Sequence, residues 1–505
     1  MTQAPTAPNK PPRLAILKNY PIALSILLAT LVFTFMATYG LWDIFYLESF
    51  GGFYDAQADS LLSGHWDVPQ RALRSEGFVR DGKWYGYFGF IPAVFRMILN
   101  PVFPIMMERW SRLSMIAGCI VTLIYTASIL LRVRWLLGLS RDIRLGTNLL
   151  YASFIIAVGL GSTTIFLASR SFAHHEALIW GSAFALASYY YQVRFLSDGD
   201  RRSLLIACLL AFAAFFSRVT VGGGPVLSLI LLTFESIRRS NNKWGRENAA
   251  IAALSFAIIF STYVTISYIK FRTFLNGAPL QLYAQMIRDP QRFERTEGKV
   301  VNIKNVRTGI CSYFSFNYID FTKNFPYILP VFNAPDFPEA RMDLIEPFAS
   351  APVSKPALFF LALVGLVRFW WLSPAIRRNL VIPLMGAFAG GAIVLAANAI
   401  SERYFHDFLP LLVIAGTIGL HALTQIPRRW LRRVAFTLWT LAVLYSVYAN
   451  WSLSILYQRW LVWGVPENRT AEFLQLQQKI DRNVGRLIPM MRVEPQEPAA
   501  SDAPK

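Results

Sequence analysis

The sequence predicts an all-α protein threaded many times through a membrane, and three observations carry that prediction. Of its 505 residues 54% are hydrophobic and only 16% charged, where a soluble chain averages about 25% charged. Apolar runs of 15 to 24 residues recur along the chain, and about 20 such residues in a helix cross the hydrocarbon core. Short basic clusters punctuate the runs at every second junction. The 49 Lys and Arg behind the net charge of +19 sit mostly in those clusters, so they set membrane orientation and no nucleic acid partner is expected.

Taken in order, residues 1–19 read as a cytoplasmic tail, rich in Pro and Ala at the start and carrying Lys10, Arg13 and Lys18. The run 20–41 lacks a small-residue cleavage site, so it reads as a retained anchor. Further spans are predicted near 112–131, 147–168, 176–195, 203–217, 222–236, 249–271, 356–372, 380–400, 408–426 and 434–457. About eleven helices therefore form a membrane domain over 20–457.

With a cytoplasmic N-terminus, the inner loops hold Arg132, Arg134, Arg141 and Arg144, then Arg194, Arg201 and Arg202, then Arg238, Arg239, Lys243 and Arg246. Arg377 and Arg378, then Arg428, Arg429, Arg432 and Arg433, complete the series. Every inner loop is basic, as the positive-inside rule requires, and a shift by one helix destroys the pattern. The outer side receives a first loop over 42–111, a long loop over 272–355, the short segments 169–175 and 401–407, and a tail over 458–505 predicted to be disordered from about 494.

The stretch 203–236 is basic at both ends and must turn back, so Arg218 and the run Gly222-Gly223-Gly224-Pro225 are predicted to break it into two short helices. Irregular backbone and an arginine at membrane depth are tolerated only where protein or a water-filled cavity receives them. Arg218 is thus a site candidate, and interfacial snorkelling explains it equally well.

Most ionisable residues suited to chemistry fall on the outer side. The first loop reads FGGFYDAQADSLLSGHWDVP, and the spacing of Asp55 and Asp59 puts both carboxylates on one face of a short helix. Neighbouring acids disfavour joint ionisation, which suits a general base; a metal-ligand pair or a solvated helix face fits the same spacing. The following GKWYGYFGFIPAVFRMILNPVFP is aromatic and interrupted by prolines, as in an interfacial helix. Two later segments, SRSFAHHEALIW and SERYFHDFLP, place Arg170, His174, His175 and Glu176, then Glu402, Arg403, Tyr404, His406 and Asp407, at outward-facing helix starts. Such starts attract anions, and the planar fork of Arg suits phosphate; helix capping and ion pairs between loops are the plainer account.

Phosphate-loop, dinucleotide, zinc-protease and nucleophile-elbow motifs are all missing. His174, His175 and Glu176 are adjacent on a helix and diverge, so no metal ligand set is predicted. Cys119, Cys208 and Cys311 form no disulfide framework.

The stretches FYDAQADSLLSGHWDVP, YGYFGFIPAVF, HHEALIWGSAFAL, SRVTVGGG and ERYFHDFLP, with their layout, resemble the C-type (GT-C) glycosyltransferase superfamily, and within it bacterial relatives of the protein mannosyltransferase and aminoarabinose transferase branch. The resemblance covers most of residues 15–457, but the acids that are often adjacent in that family's first loop are separated here by Ala56, Gln57 and Ala58. It implies a multi-pass protein of the bacterial inner membrane whose active site faces outward. It further implies inverting transfer of a sugar from a polyprenyl-phosphate donor to a glycan, lipid or protein acceptor, with no cofactor beyond that donor assigned. Asp55, or else Asp59, would be the base; Arg403 and Arg218 would hold the donor phosphate; His174, His175, Glu176, Tyr404, His406 and Asp407 would line the acceptor or sugar pocket. A transporter or flippase with a buried arginine, or a polymerase or ligase using pyrophosphate-linked glycans, is the alternative.

Overall fold

The computed structural model describes residues 19–139, 143–239, 242–461 and 464–491. The predicted tail with Lys10, Arg13 and Lys18, the inner-loop Arg141, and the disordered end predicted from 494 lie outside the described residues.

The helices are α1 (Tyr20–Ala37), α2 (Phe53–Leu62), α3 (Ile91–Val102), α4 (Ser111–Leu136), α5 (Leu145–Gly159), α6 (Ala173–Asp198), α7 (Arg201–Phe215), α8 (Val219–Arg239) and α9 (Lys243–Phe271). They continue with α10 (Val306–Phe314), α11 (Pro356–Phe369), α12 (Pro374–Ala392), α13 (Leu409–Thr424), α14 (Arg429–Arg459) and α15 (Glu467–Leu487). Among the described residues, eight helical stretches, those containing α1, α4, α5, α8, α9, α12, α13 and α14, are long and apolar enough to cross a membrane. The chain is a multi-pass membrane protein. Helices α6, α7 and α11 occupy the other three predicted places.

Helix α6 carries more polar groups than a lipid-facing span tolerates because it meets protein almost everywhere, with residues from Ala173 to Leu196 nearly all buried. It packs on α4, α7 and α8, and so forms the centre of the bundle. Gly199 ends α6 in a left-handed conformation, and the Asp200 side chain accepts from the Arg202 amide to start α7.

Contacts between helix ends sort the molecule into two faces. On one, Arg132 pairs with Asp198, Arg201 with Glu247, and Arg239 with the Leu196 carbonyl, which gathers the predicted inner-loop arginines. On the other, Arg112 pairs with Glu48, Thr220 reaches Asp407, and the Gln458 amide reaches the Met36 carbonyl. The first and long loops cover this second face.

Within the first loop, α2 is followed by a hairpin of β1 (Phe78–Arg80) and β2 (Lys83–Tyr85), and then by α3. Helix α3 buries Arg96 and Asn100 while exposing Ile98 and Val102. Its polar side faces the protein and its apolar side faces outward, as an interfacial helix requires. In the long loop, β3 (Asp320–Phe321) pairs with β4 (Ile328–Leu329), and β5 (Leu344–Ile345) runs parallel to β6 (Ala399–Ile400), beside the ERYFHDFLP segment. The tail predicted after 458 contains α15, which presses Phe473 against Phe325 and accepts the Phe325 amide on Asp481.

The Gly222-Gly223-Gly224-Pro225 run does not break the chain. The turn falls at residues 216–218, and the glycines are helical within α8. Their purpose is close packing: a Cβ at Gly224 would stand 2.3 Å from the Gly386 carbonyl oxygen of α12. Arg218 consequently lies in the turn on the loop-covered face, not part-way through a span. Small residues that let backbones approach are the usual means of joining helices in lipid.

The tightest such contact joins α11 to α13, where a Cβ at Gly365 would meet the Ala415 carbonyl oxygen at 1.8 Å. Gly365→Val is expected to cost about 2 kcal/mol or more through overpacking, read as a lower unfolding midpoint in detergent. Gly146→Val, where nothing stands within 4 Å, is expected to leave the midpoint nearly unchanged.

Candidate active site

Asp55 lies in the first turn of α2, and its carboxylate is only 1% exposed. Arg96 of α3 approaches it, with Nε 3.7 Å from Oδ2, and donates from Nη2 to Glu176 Oε1 of α6 at 2.6 Å. Ser114 also donates to Glu176, and the Trp180 indole donates to Ser114 at 2.9 Å. One buried guanidinium thus ties the first loop to the central helix. Neither Asp55 oxygen has a hydrogen-bond partner among the described residues. Burial pushes the Asp55 carboxyl above its ordinary range, against the pull of Arg96, the Glu108 amide and Asn100.

Asp55 and Asp59 share the wall of an open cavity of about 610 Å³, together with His65, Asp67, Arg71 and Glu108. Asp59 is exposed and has no ion pair among the described residues. Ser60 and Ser63 add hydroxyl groups to the wall. Such a lining accepts hydrogen bonds from a polyhydroxylated ligand and repels an anion. As the side chains stand, no three His, Cys, Asp or Glu among the described residues are grouped to hold a metal ion.

The predicted phosphate ligands meet at Tyr404, whose ring lies 5.5 Å from the Arg218 guanidinium and 5.3 Å from that of Arg403. Their states differ. Arg403 grips Glu346 with both arms of its fork and contacts the Tyr457 hydroxyl. Arg218 donates Nε to Thr220 at 3.1 Å and has no carboxylate within 4.0 Å among the described residues. Thr220 in turn donates to buried Asp407 at 2.6 Å. The cation open to an anion is therefore Arg218, whereas Arg403, expected to hold the donor phosphate, is already neutralised.

Several residues expected in an acceptor or sugar pocket serve the scaffold instead. His175 holds the Leu167 and Arg170 carbonyls through Nδ1, Glu176 is enclosed with Arg96, and His406 bonds Thr163 at 2.9 Å. Lys355 pairs with Glu402 at 2.5 Å, fastening the end of the long loop. His174, next to the first residue of α6, keeps Nε2 without a partner. Tyr404 and Asp407 stand with Arg218.

The cavity beside Asp55 includes neither Arg218 nor Arg403 in its wall, so the base and the phosphate ligands that the resemblance implies stand at two separate places. Tyr54 stands between them: its neighbour Asp55 faces Arg96, while its own hydroxyl donates to the Ala173 carbonyl at 3.3 Å, beside His174. Sequence reasoning missed Arg96 and Glu346. An arginine inside the apolar VFRMIL run was the available signal for the first; nothing local marked the second among the acids of the long loop.

No protein-family model matches the chain, and a search of characterised proteins finds no match. Among solved structures, the chain is similar to the oligosaccharyltransferase of Archaeoglobus fulgidus in its apo form, at 13% identity and a TM-score of 0.48. The match covers 96% of this chain and 62% of the archaeal one. The archaeal enzyme AglB in complex with an inhibitory peptide and a dolichol-phosphate gives the same values. Its complex with Zn and sulfate matches at 14% identity and a TM-score of 0.44, over 85% of this chain and 53% of that one. The chain thus spans less than two thirds of the length of these structures.

If Arg96 holds α3 against α6, then Arg96→Met strands the Glu176 charge and is expected to lower stability by about 3–5 kcal/mol. Adding Glu176→Gln to the same protein is expected to restore most of the loss. Thermal unfolding in detergent reads both, and a single variant as stable as the parent would contradict the assignment.

Proposed function

We propose that the chain is a GT-C type glycosyltransferase of a bacterial inner membrane, with its N-terminus cytoplasmic and the loop-covered face outward. It transfers a sugar from a polyprenyl-phosphate donor to a glycan, lipid or protein acceptor. The sequence resemblance and the alternation of basic loops support this reading. The observation that carries it is Asp55, a buried carboxylate with two unpartnered oxygens, held by Arg96 at the wall of a polar cavity.

In this reading the acceptor hydroxyl enters the cavity of Asp55 and Asp59, and Asp55 takes its proton. The hydroxyl oxygen then bonds to the anomeric carbon as the bond from that carbon to the phosphate oxygen breaks, with inversion. The lipid phosphate keeps the electron pair, and Arg218 holds its charge, since Arg403 is engaged with Glu346. Asp59, exposed at the same wall, orients the acceptor. Arg218 lies outside the wall of the Asp55 cavity, so donor and acceptor meet only when the first loop shifts.

The test is transfer from a radiolabelled polyprenyl-phosphate sugar by the purified protein in lipid nanodiscs. Asp55→Asn is expected to lose at least about 10²-fold in rate, the scale of general-base catalysis, with its unfolding midpoint kept. In the parent, activity falls as pH drops through the raised carboxyl value of Asp55, because the base works only when deprotonated; the Asn variant's residual activity is expected to lack this limb. Undiminished transfer by Asp55→Asn removes the base assignment, and lipid movement without a new glycosidic bond identifies a flippase.

A further inference from the structure

On the same face, with Tyr457 between Arg403 and Arg170, the ends of α1 and α14 and the start of α15 bring arginines together around Tyr39. The Arg469 guanidinium stacks on the Tyr39 ring at 3.5 Å, and that of Arg459 lies 5.4 Å from the ring. Arg459 also donates to the Tyr39 carbonyl at 3.3 Å. Arg112 lies 5.1 Å from the same ring, but it is neutralised by buried Glu48. Arg170, just before α6, donates from Nη2 to the carbonyl of Gly464, which lies between Arg459 and Arg469 in the chain.

The charges in this cluster do not balance. Arg170 is 2% exposed, and its Nε and Nη1 have no hydrogen-bond partner among the described residues. Among the described residues neither Arg170 nor Arg469 has a carboxylate within 4.0 Å, and Arg459 has only Glu472, 3.9 Å away and 67% exposed. The face of Phe172, 4.4 Å from the Arg170 guanidinium, offers a weak partner for a full charge. A buried guanidinium without a counter-ion costs several kcal/mol, so the cluster calls for an anion from outside the chain. Donors surround the place one would take. The Ser49 hydroxyl and Arg170 Nη2 both stand within 4 Å of where a Cβ on Gly464 would project, and Gly464 has no side chain to fill that space.

We propose that Arg170, Arg459 and Arg469 form a phosphate-binding site distinct from Arg218. Phosphate offsets one to two of the three guanidinium charges and offers several acceptor oxygens, and the planar fork of Arg grips it in two-bond fashion. The site lies where α1 and α14 end on the loop-covered face, a position a phospholipid headgroup reaches from the bilayer. When occupied, it ties α15 to α1 and α6.

The test is thermal unfolding of the full-length protein under two conditions: in uncharged detergent with inorganic phosphate against chloride at equal ionic strength, and in nanodiscs of phosphatidylglycerol against phosphatidylcholine. A saturable rise of about 3–5 °C is expected from at least one phosphate source. A rise with phosphatidylglycerol alone identifies a lipid headgroup, and a rise with inorganic phosphate identifies a site that takes the free anion. Arg170→Met is expected to abolish the rise and, having lost an uncompensated charge, to unfold no lower than the anion-free parent. Half-exposed Arg469→Met provides a second reading should the first variant misfold, and is expected to lose most of the rise. Arg218→Met is expected to keep it. No rise from either source, a rise that survives both Arg170→Met and Arg469→Met, or one lost only in Arg218→Met, would overturn the proposal.

Discussion

The organisation of the loop-covered face depends on one buried cation. Arg96 is brought inward by a short helix whose other side is apolar, and it meets Glu176 near the start of α6, which is buried over most of its length. The desolvation of that guanidinium is offset only if both it and its partners are well placed. Glu176 takes the close contact with help from Ser114, and Asp55 is left at 3.7 Å with unfilled hydrogen-bonding capacity. That imbalance creates a carboxylate that is held in position yet still free to accept a proton. If Asp55 took the close contact instead, its proton affinity would fall and it would suit the proposed role of base less well.

The membrane sets the second constraint. Without a hydrophobic drive between helices, close backbone approach at Gly224, Gly365 and Gly386 supplies much of the adhesion. Charged groups are confined to the two ends of the bundle. At one end they are arginines paired with the few acids available, Asp198 and Glu247 among them. At the other, loops deliver carboxylates to basic side chains at helix ends: Glu48 to Arg112, Glu346 to Arg403 and Glu402 to Lys355. Among the described residues, Arg218, Arg170 and Arg469 have no such delivery, and each receives an anion in the readings proposed above.

Much of the architecture was legible in the sequence. Each of the eleven predicted spans corresponds to a helix, because apolar run length and basic loops report directly on the solvent. The short helix that carries Asp55 after the first span was legible too, whereas the burial of its carboxylate was not, since a solvated face fitted the same spacing. Partner choice was not legible. Arg96 and Glu176 are eighty residues apart, and no local pattern records which acid a loop will carry to which arginine. This is why Arg403 was expected to be open, when the long loop delivers Glu346 to it. The glycine run before Pro225 was read as a break because glycine weakens an isolated helix, whereas here it admits a neighbouring backbone. The separation of Asp55 from Arg218 and Arg403 also lay beyond reach, since it depends on how Tyr54 and Asp55, adjacent in the chain, diverge around α2.

The most direct measurement is the protonation of Asp55 itself. Infrared difference spectra of the protein with ¹³C-labelled aspartate, titrated in nanodiscs and compared with a protein lacking this carboxylate, isolate its carbonyl stretch. A protonated band that persists clearly above the ordinary aspartate value of about 3.9 is the expected result. A band that disappears at or below that value would show that Arg96 fully neutralises Asp55, and the carboxylate would then be a structural anchor and not a base.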